Sequence, residues 1–188
     1  MIGGAFVGVY FIYLMQLANT SLNPQLLLIL SLIVAGVFGA LLSLLHAFAA
    51  INLKADQTIS GTAINMLAPG LGLFLAKLIF NGNSSVPFSN TFRIHEIPVL
   101  SQIPILGPIL FKGAYITTYL GIIILILSVI FLNKTRAGLR LRACGENPQA
   151  ADAAGVSVYK YRYIGVLLSG FLGGMGGLIY IIPISTVF

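Results

Sequence analysis

The chain alternates long apolar segments with short polar stretches. Five apolar segments are near or above the ~18 residues that a helix needs to cross a bilayer. They cover residues 2–18, 25–51, 58–80, 114–132 and 161–182. The short alternating segments typical of an outer-membrane barrel are absent from the sequence. The pattern therefore predicts an all-α fold, a polytopic transmembrane helix bundle with about five spanning helices. Because apolar sequence reaches almost to both termini, we expect a single transmembrane domain over residues 1–188 that is incomplete at both ends.

Composition agrees with this class. Hydrophobic residues make up 58% of the 188 residues and charged residues 7%, where soluble proteins have about a quarter charged. The net charge of +6 is concentrated in one loop, so it does not indicate nucleic-acid binding. The single cysteine, Cys144, excludes an internal disulfide, and no metal-ligand cluster is evident. We expect a multi-pass protein of the cytoplasmic membrane.

A basic loop at residues 134–160 sets the predicted orientation. Lysine and arginine are retained on the cytoplasmic side of a membrane protein, so this loop is expected to face the cytoplasm. Alternation then places residues 52–57 inside and residues 19–24 and 81–113 outside. Six of the ten basic residues lie in or beside this loop: Lys134, Arg136, Arg140, Arg142, Lys160 and Arg162.

The basic loop contains a predicted short helix. Asn147 is suited to an N-cap, Pro148 to the first helical position and Gly155 to the C-terminal stop. The intervening sequence QAADAA favours helix. Its small alanine-rich face suits insertion into a groove on another protein, and an ordinary capped loop helix is the alternative.

Polar residues follow one side of the third segment, which Pro69-Gly70 is expected to break. Proline lacks an N–H and frees the carbonyl four residues earlier, that of Asn65. Polar side chains are unfavourable against lipid, so the stripe should face the protein interior or a watery cavity. Transporters bind polar solutes at such interrupted helices, although a kink that serves packing is an alternative. The predicted substrate pathway consists of Gln57, Thr58, Thr62, Asn65 and Pro69.

Small residues recur every fourth position in the last segment, at Gly165, Ser169, Gly173 and Gly177, with Gly170 and Gly174 beside them. A similar stripe in the second segment runs from Gly36 through Gly39 or Ala40, Ser43 and Ala47 to Ala50. Such stripes predict close helix packing in lipid. His46 lies near the second stripe and is three residues from Ser43. This pair is a superficial match to an intramembrane hydrolase, but no acid or oxyanion partner is evident.

The string GLRLRACGENPQAADAAGVSVYKYRYIGVLLSGFLGGMGGLIY resembles the signature of permease subunits of binding-protein-dependent ABC importers. It is similar to the branch that carries simple sugars, branched-chain amino acids and nucleosides, and most similar to nucleoside-type permeases. The segment QTISGTAINMLA also resembles a translocation-lining helix of this family. The resemblance covers roughly residues 57–80 and 133–182.

The resemblance implies an importer that works by alternating access. In the lipid bilayer this chain would pair with a second permease subunit, as a homodimer or a heterodimer. The other partners would be an ATP-binding cassette ATPase and an extracytoplasmic solute-binding protein. The helix seated in the ATPase would involve Glu146, Asn147, Pro148, Ala151, Asp152, Ala154 and Gly155. No phosphate-binding GxxxxGKS or GxxxxGKT loop occurs in the sequence, so ATP would be used by the partner and this chain would bind no cofactor and catalyse no reaction. The expected solute is a nucleoside, with a simple sugar next. The alternatives are an intramembrane hydrolase and a structural membrane anchor subunit.

Overall fold

The computed structural model describes residues 1–18, 23–88, 92 and 115–184. The prediction for the outer loop 81–113 therefore lies largely outside the described residues, as does most of the turn at 19–24. In chain order the described helices are α1 (Ile2–Leu17), α2 (Pro24–Ala47), a π-helical turn (Phe48–Asn52), α3 (Gln57–Ile79), α4 (Ile116–Lys134), α5 (Arg136–Glu146), α6 (Pro148–Ala153) and α7 (Val158–Ile184).

The prediction of a polytopic transmembrane bundle is confirmed. Among the described residues, four helices are long and apolar enough to cross a membrane: α2 with its π-helical turn, α3, α4 and α7. The first helix has 16 residues, which gives roughly 24 Å at 1.5 Å per residue. That is shorter than the ~30 Å hydrocarbon core, and α1 ends one residue before the segment predicted for residues 2–18.

The basic loop is more ordered than predicted, because it contains α5 as well as the short helix α6. Gly138 and Gly145 are poor helix formers, and four charged residues interrupt the apolar pattern, so the sequence suggested a loop. The side chain of Thr135 caps α5, since its hydroxyl accepts the backbone N–H of Gly138 at 3.1 Å. Gly138 itself packs against the end of α4, where a Cβ would lie 2.6 Å from the Cα of Leu132.

Helices α2 and α7 pack backbone to backbone around glycines. A Cβ on Gly39 would lie 2.8 Å from the Cα of Gly174, and one on Gly4 of α1 would lie 2.6 Å from the same atom. The predicted close packing is therefore present, but the glycines of α7 that meet α2 are Gly170 and Gly174. Gly173 is open: the nearest atom to its Cβ position is in the side chain of Met1, at 4.0 Å.

Contacts between helix ends agree with the predicted alternation of loops. The hydroxyls of Tyr159 and Tyr163, at the start of α7, both reach Asn52 at the end of the π-helical turn. Residues 53–56 and the basic loop therefore lie at the same end of the bundle, called here the loop end. At the opposite end Phe80 packs against Tyr13 of α1, with ring centroids 5.0 Å apart.

The third helix is continuous through Pro69, so the predicted break at Pro69-Gly70 is wrong. Proline removes one backbone hydrogen bond, but the turns on either side retain theirs. A membrane helix tolerates the freed carbonyl when local adjustments satisfy it. The polar residues that precede Pro69 are consequently carried by one regular helix.

Candidate functional site

The short helix α6 at the loop end is capped at both ends as predicted. The side-chain oxygen of Asn147 accepts the backbone N–H of Ala150 at 3.1 Å, and Pro148 occupies the first turn. Gly155 has a φ of +77°, a conformation that favours glycine. The N–H groups of Gly155 and Val156 donate to the carbonyls of Asp152 and Ala151, which is the Schellman pattern. The capping fixes the shape of a helix too short to be stable alone.

The surface of α6 divides into an inner and an outer face. Ala151 is buried within this chain, with 5% exposure. The remaining predicted coupling residues of the helix and its flanks, Glu146, Asn147, Asp152, Ala154 and Gly155, are exposed, and Pro148 is partly buried. Ala151 therefore anchors the helix to its own chain, and the exposed residues are those free to meet another protein.

Hydrogen bonds link the start of α7 to its neighbours. Tyr159 and Tyr163 each donate a hydroxyl to the side-chain oxygen of Asn52, at 2.6 Å. Arg140 of α5 donates to the hydroxyl of Tyr161 at 3.3 Å, and this hydrogen bond raises the pKa of Arg140 above its ordinary value. The π-helical turn and helix α5 are therefore both hydrogen-bonded to α7, the helix that follows α6.

A cavity of about 460 Å³, called here the bundle cavity, lies between α1, α2, α3 and α7. Small residues leave the space open, and Ser43, His46, Asn65 and Ser169 contribute the polar groups. It is also lined by Met1, Ile2, Gly3, Gly4, Gly39, Leu42, Gly61, Ile64, Ala68, Gly170 and Gly173.

A second cavity of about 460 Å³, called here the loop cavity, lies nearer the loop end. Polar or charged side chains from three helices line it: His46 of α2, Gln57 of α3, and Tyr161 and Arg162 of α7. The other lining residues are Ala50, Ile51, Leu141, Cys144, Gly145, Gly165 and Val166.

The structure separates the residues of the predicted substrate pathway. Asn65 lines the bundle cavity and Gln57 lines the loop cavity. Thr58, Thr62 and Pro69 line neither cavity. The hydroxyl of Thr62 instead donates to carbonyls of its own helix, those of Thr58 at 2.6 Å and Ile59 at 3.0 Å. Because these bonds satisfy the hydroxyl within its own helix, they lower the free-energy cost of exposing Thr62 on the outer face of α3.

The beginning of α3 is capped by Asp56, whose carboxylate accepts the backbone N–H of Thr58 at 2.7 Å. This hydrogen bond holds the pKa of the Asp56 carboxyl below its ordinary value. The carboxylate therefore stays ionised at neutral pH, and its charge suits the positive end of the helix dipole.

Ser43 and His46 do not pair with each other. The hydroxyl of Ser43 donates to the carbonyl of Ala40 at 2.8 Å, within its own helix. The Nδ1 atom of His46 lies 2.9 Å from the hydroxyl oxygen of Ser60 on α3. In the part of the chain that the structure describes, no acidic group bonds to His46, and the site lacks the third member that a nucleophile and base require. The geometry does not favour the hydrolase alternative.

Metal binding finds no support in the described residues. No group of three or more histidine, cysteine, aspartate or glutamate side chains is close enough there to hold an ion. Cys144 is buried beside the loop cavity.

The arrangement therefore combines a capped, exposed helix at the loop end with two polar-lined cavities in the membrane-spanning bundle. A family model described as the permease component of a branched-chain amino acid transport system matches residues 1–188. The chain belongs to this permease family.

Relatives within the permease family are named for nucleosides and for a sugar. The chain is 44% identical over 185 residues to the nucleoside ABC transporter permease protein NupC of Lactococcus lactis, covering 98% of this chain and 57% of that protein. It is 46% identical over 188 residues to the guanosine ABC transporter permease protein NupQ of Bacillus subtilis, covering 100% and 58%. It is 33% identical over 144 residues to the putative glucose ABC transporter permease protein TsgC13 of Haloferax volcanii, covering 74% and 42%.

The chain thus spans a little under three fifths of the length of the nucleoside and guanosine permeases that it matches. No solved structure matches it.

Three features of this permease bundle were not predicted from the sequence. They are the bond between His46 and Ser60, the two tyrosines on Asn52, and the helix α5. The first two join residues that are distant along the chain, and a periodic pattern carries no signal for such pairs. The local pattern of α5 was misleading, because Leu139 and Leu141 alternate with Arg140 and Arg142 at a period of two, which is typical of a strand.

Proposed function

We propose that this chain is part of the permease of an ATP-driven importer that moves nucleosides across the cytoplasmic membrane by alternating access. The observation that carries the proposal is its identity of 44% and 46%, over 98% and 100% of the chain, to relatives named as nucleoside and guanosine permeases. The match to the putative glucose permease is weaker and covers 74% of the chain. Nucleosides are therefore favoured over simple sugars.

The proposed partners follow from membership in the permease family. A cytoplasmic ATP-binding cassette subunit would hydrolyse ATP, a second permease subunit would complete the membrane unit, and an extracytoplasmic solute-binding protein would deliver the solute. This chain itself would bind no cofactor and catalyse no reaction. In support, its sequence has no GxxxxGKS or GxxxxGKT phosphate-binding loop.

The ATPase would contact the exposed face of α6. Asp152 and Ala154 are exposed on a helix whose two caps fix its shape. The basic residues around it favour a cytoplasmic location. Movement of α6 would be transmitted to α7, because only residues 154–157 separate the two helices.

The solute would pass through the bundle cavity and then the loop cavity. A volume of about 460 Å³ is within the range of small-molecule sites in proteins. The side chains of Asn65 and Ser43 supply hydrogen-bonding groups in the first cavity, and Gln57 in the second. Glycines and alanines otherwise line much of the space, which suits weak and transient contacts with a solute in transit.

Uptake of radiolabelled guanosine tests this proposal. A strain that lacks the gene is complemented with the full-length gene and its partner subunits, and uptake is followed with excess unlabelled nucleosides or glucose as competitors. We expect uptake to return, to require an ATPase subunit competent for hydrolysis, and to be reduced by nucleosides and unaffected by glucose. Competition by glucose, or no gain in guanosine uptake at a normal level of membrane protein, would contradict the proposal.

A further inference from the structure

The two cavities follow each other along the same three helices. On α3 the bundle cavity begins at Gly61 and the loop cavity is lined by Gln57, which leaves residues 58–60 between them. On α7 the loop cavity ends at Val166 and the bundle cavity begins at Ser169. On α2 a single residue, His46, lines both cavities. The level of His46 and Ser60 is therefore the division between the two spaces.

A hydrogen bond crosses between helices at this level. The Nδ1 atom of His46 on α2 lies 2.9 Å from the hydroxyl oxygen of Ser60 on α3, and both side chains are partly buried. Either group can donate, according to the tautomer of the imidazole. The bond joins two of the helices that line both cavities.

We propose that His46 and Ser60 form a latch that closes the solute path between the bundle cavity and the loop cavity. The inference rests on the proposed transport function. In the closed state the imidazole and the serine hydroxyl bond to each other. When the latch opens, each is left with a free hydrogen-bonding group that faces the path, so a passing polar solute can replace the lost partner.

The latch is well placed to move because α3 is loosely held near it. Only Gly72 and Ala76 of α3 are buried, both beyond Pro69. In the described part of the chain, the bond to His46 is the sole side-chain hydrogen bond from α3 to another helix. Breaking it leaves the first half of α3 with few contacts that oppose displacement.

The latch is also close to the helix that would be driven by the ATPase. The π-helical turn begins two residues after His46 and ends at Asn52, which accepts the hydroxyls of Tyr159 and Tyr163. Helix α7, which carries both tyrosines, begins four residues after Ala154. π-Helical turns are frequent at functional sites. A displacement of α6 therefore has a short route to the backbone of His46.

Cys144 provides a reporter for the latch, because it is the single cysteine of the chain and lines the loop cavity. The complete transporter is prepared in right-side-out vesicles without nucleotide. A membrane-impermeant trimethylammonium methanethiosulfonate is added outside, and modification of Cys144 is followed by mass spectrometry. We expect slow modification of the native protein. We expect His46→Ala and Ser60→Ala to accelerate it about five- to tenfold, the population shift associated with one hydrogen bond.

Further variants separate the latch from a general loosening of the bundle. The double variant should be no faster than either single variant, because both remove the same bond. His46→Gln, which keeps a hydrogen-bonding group, should be modified more slowly than His46→Ala. Thr62→Val is the matched control: Thr62 lies two residues after Ser60 on α3, lines neither cavity and bonds only to its own helix. Its rate should equal that of the native protein.

Native rates in both His46→Ala and Ser60→Ala would overturn the latch, and so would equal acceleration in Thr62→Val. The labelling requires no nucleoside, so its outcome is independent of the guanosine experiment. Normal guanosine uptake together with unaltered labelling of the variants would refute only the latch proposal. Accelerated labelling of His46→Ala and Ser60→Ala in a transporter that does not carry guanosine would refute only the proposed nucleoside substrate.

Discussion

The α2–α7 interface and the first half of α3 are both rich in small and polar residues, but they pack in opposite ways. At the interface, Gly39 and Gly174 bring two backbones so close that a Cβ on either would meet main-chain atoms. On the first half of α3, a Cβ position built on Gly61 meets nothing within 4 Å, and Met66 is 79% exposed. Glycine serves close packing in the first region and open space in the second. The comparison indicates a closely packed core at the α2–α7 interface and, in the first half of α3, a loosely attached polar wall.

The largest expected effect comes from breaking the rigid region. Gly174→Ala places a methyl group against the backbone of Ala35 and Gly39, and overpacking of this kind costs about 1–3 kcal/mol. We expect a marked loss of protein that remains monodisperse in detergent and a lower unfolding temperature. Gly173→Ala is the control on the same helix, since its methyl would meet only the flexible side chain of Met1. Equal stability of the two variants would mean that the interface is less close than described.

The second-largest effect is expected from a substitution on α6 that interrupts its proposed mechanical coupling to the first half of α3. Ala154→Arg adds a large charged side chain to the exposed end of α6 without disturbing a buried contact. We expect guanosine uptake to fall to background while the amount of membrane-inserted protein is unchanged. Ala137→Arg makes the same change at an exposed position of α5 and should retain uptake. Uptake by Ala154→Arg at the native rate would refute the coupling role. Ala151 is unsuitable for this test because its burial would confound folding with coupling.

A third pair of variants tests which side of α3 faces the solute. Asn65→Leu removes a polar group from the bundle cavity and should reduce guanosine uptake about tenfold, the effect of one lost hydrogen bond of about 1.4 kcal/mol. Thr62→Val changes a residue that lines neither cavity and bonds to its own helix, so uptake should be nearly native. The reverse ranking would show that the path follows the outer face of α3.

The smallest effect is expected at the end of α6. Gly155→Ala forces a methyl-bearing residue into a positive φ of 77°, at a cost of about 1 kcal/mol. Hydrogen exchange of the α6 amides should accelerate about fivefold, with little change elsewhere. Gly145→Ala is the control within α5, where a Cβ meets nothing within 4 Å. Equal exchange in the two variants would mean that the Schellman cap does not hold α6 in place.

The sequence predicted what depends on local rules. Helix positions followed from apolar length, and both caps of α6 followed from Asn147, Pro148 and Gly155. The glycine that meets α2 could not be chosen in advance, because Gly173 and Gly174 are both present on α7 and lie only about 100° apart around the helix. The shape of the partner helix decides between them.

The remaining errors have two causes. Pro69 predicted a break by a local rule, but the turns on either side keep α3 continuous. The pairing of His46 with Ser60 depends on how α2 turns into α3 through the π-helical turn and residues 53–56, and no periodic pattern records that geometry. For the substrate path, Thr62 and Asn65 were predicted to lie on one side of α3; that Asn65 lines a cavity and Thr62 does not required the packed bundle.

The most direct test of the account is the location of α6 in the assembled transporter. Ala154→Cys in a Cys144→Ser background is examined for reaction with an impermeant thiol reagent and for crosslinking to the ATPase subunit, with Ala137→Cys as the control. We expect Ala154→Cys to be protected in intact cells, to react in inverted vesicles and to crosslink to the ATPase, whereas Ala137→Cys should react from the same side without crosslinking. Reaction of Ala154→Cys from outside intact cells would contradict this expectation.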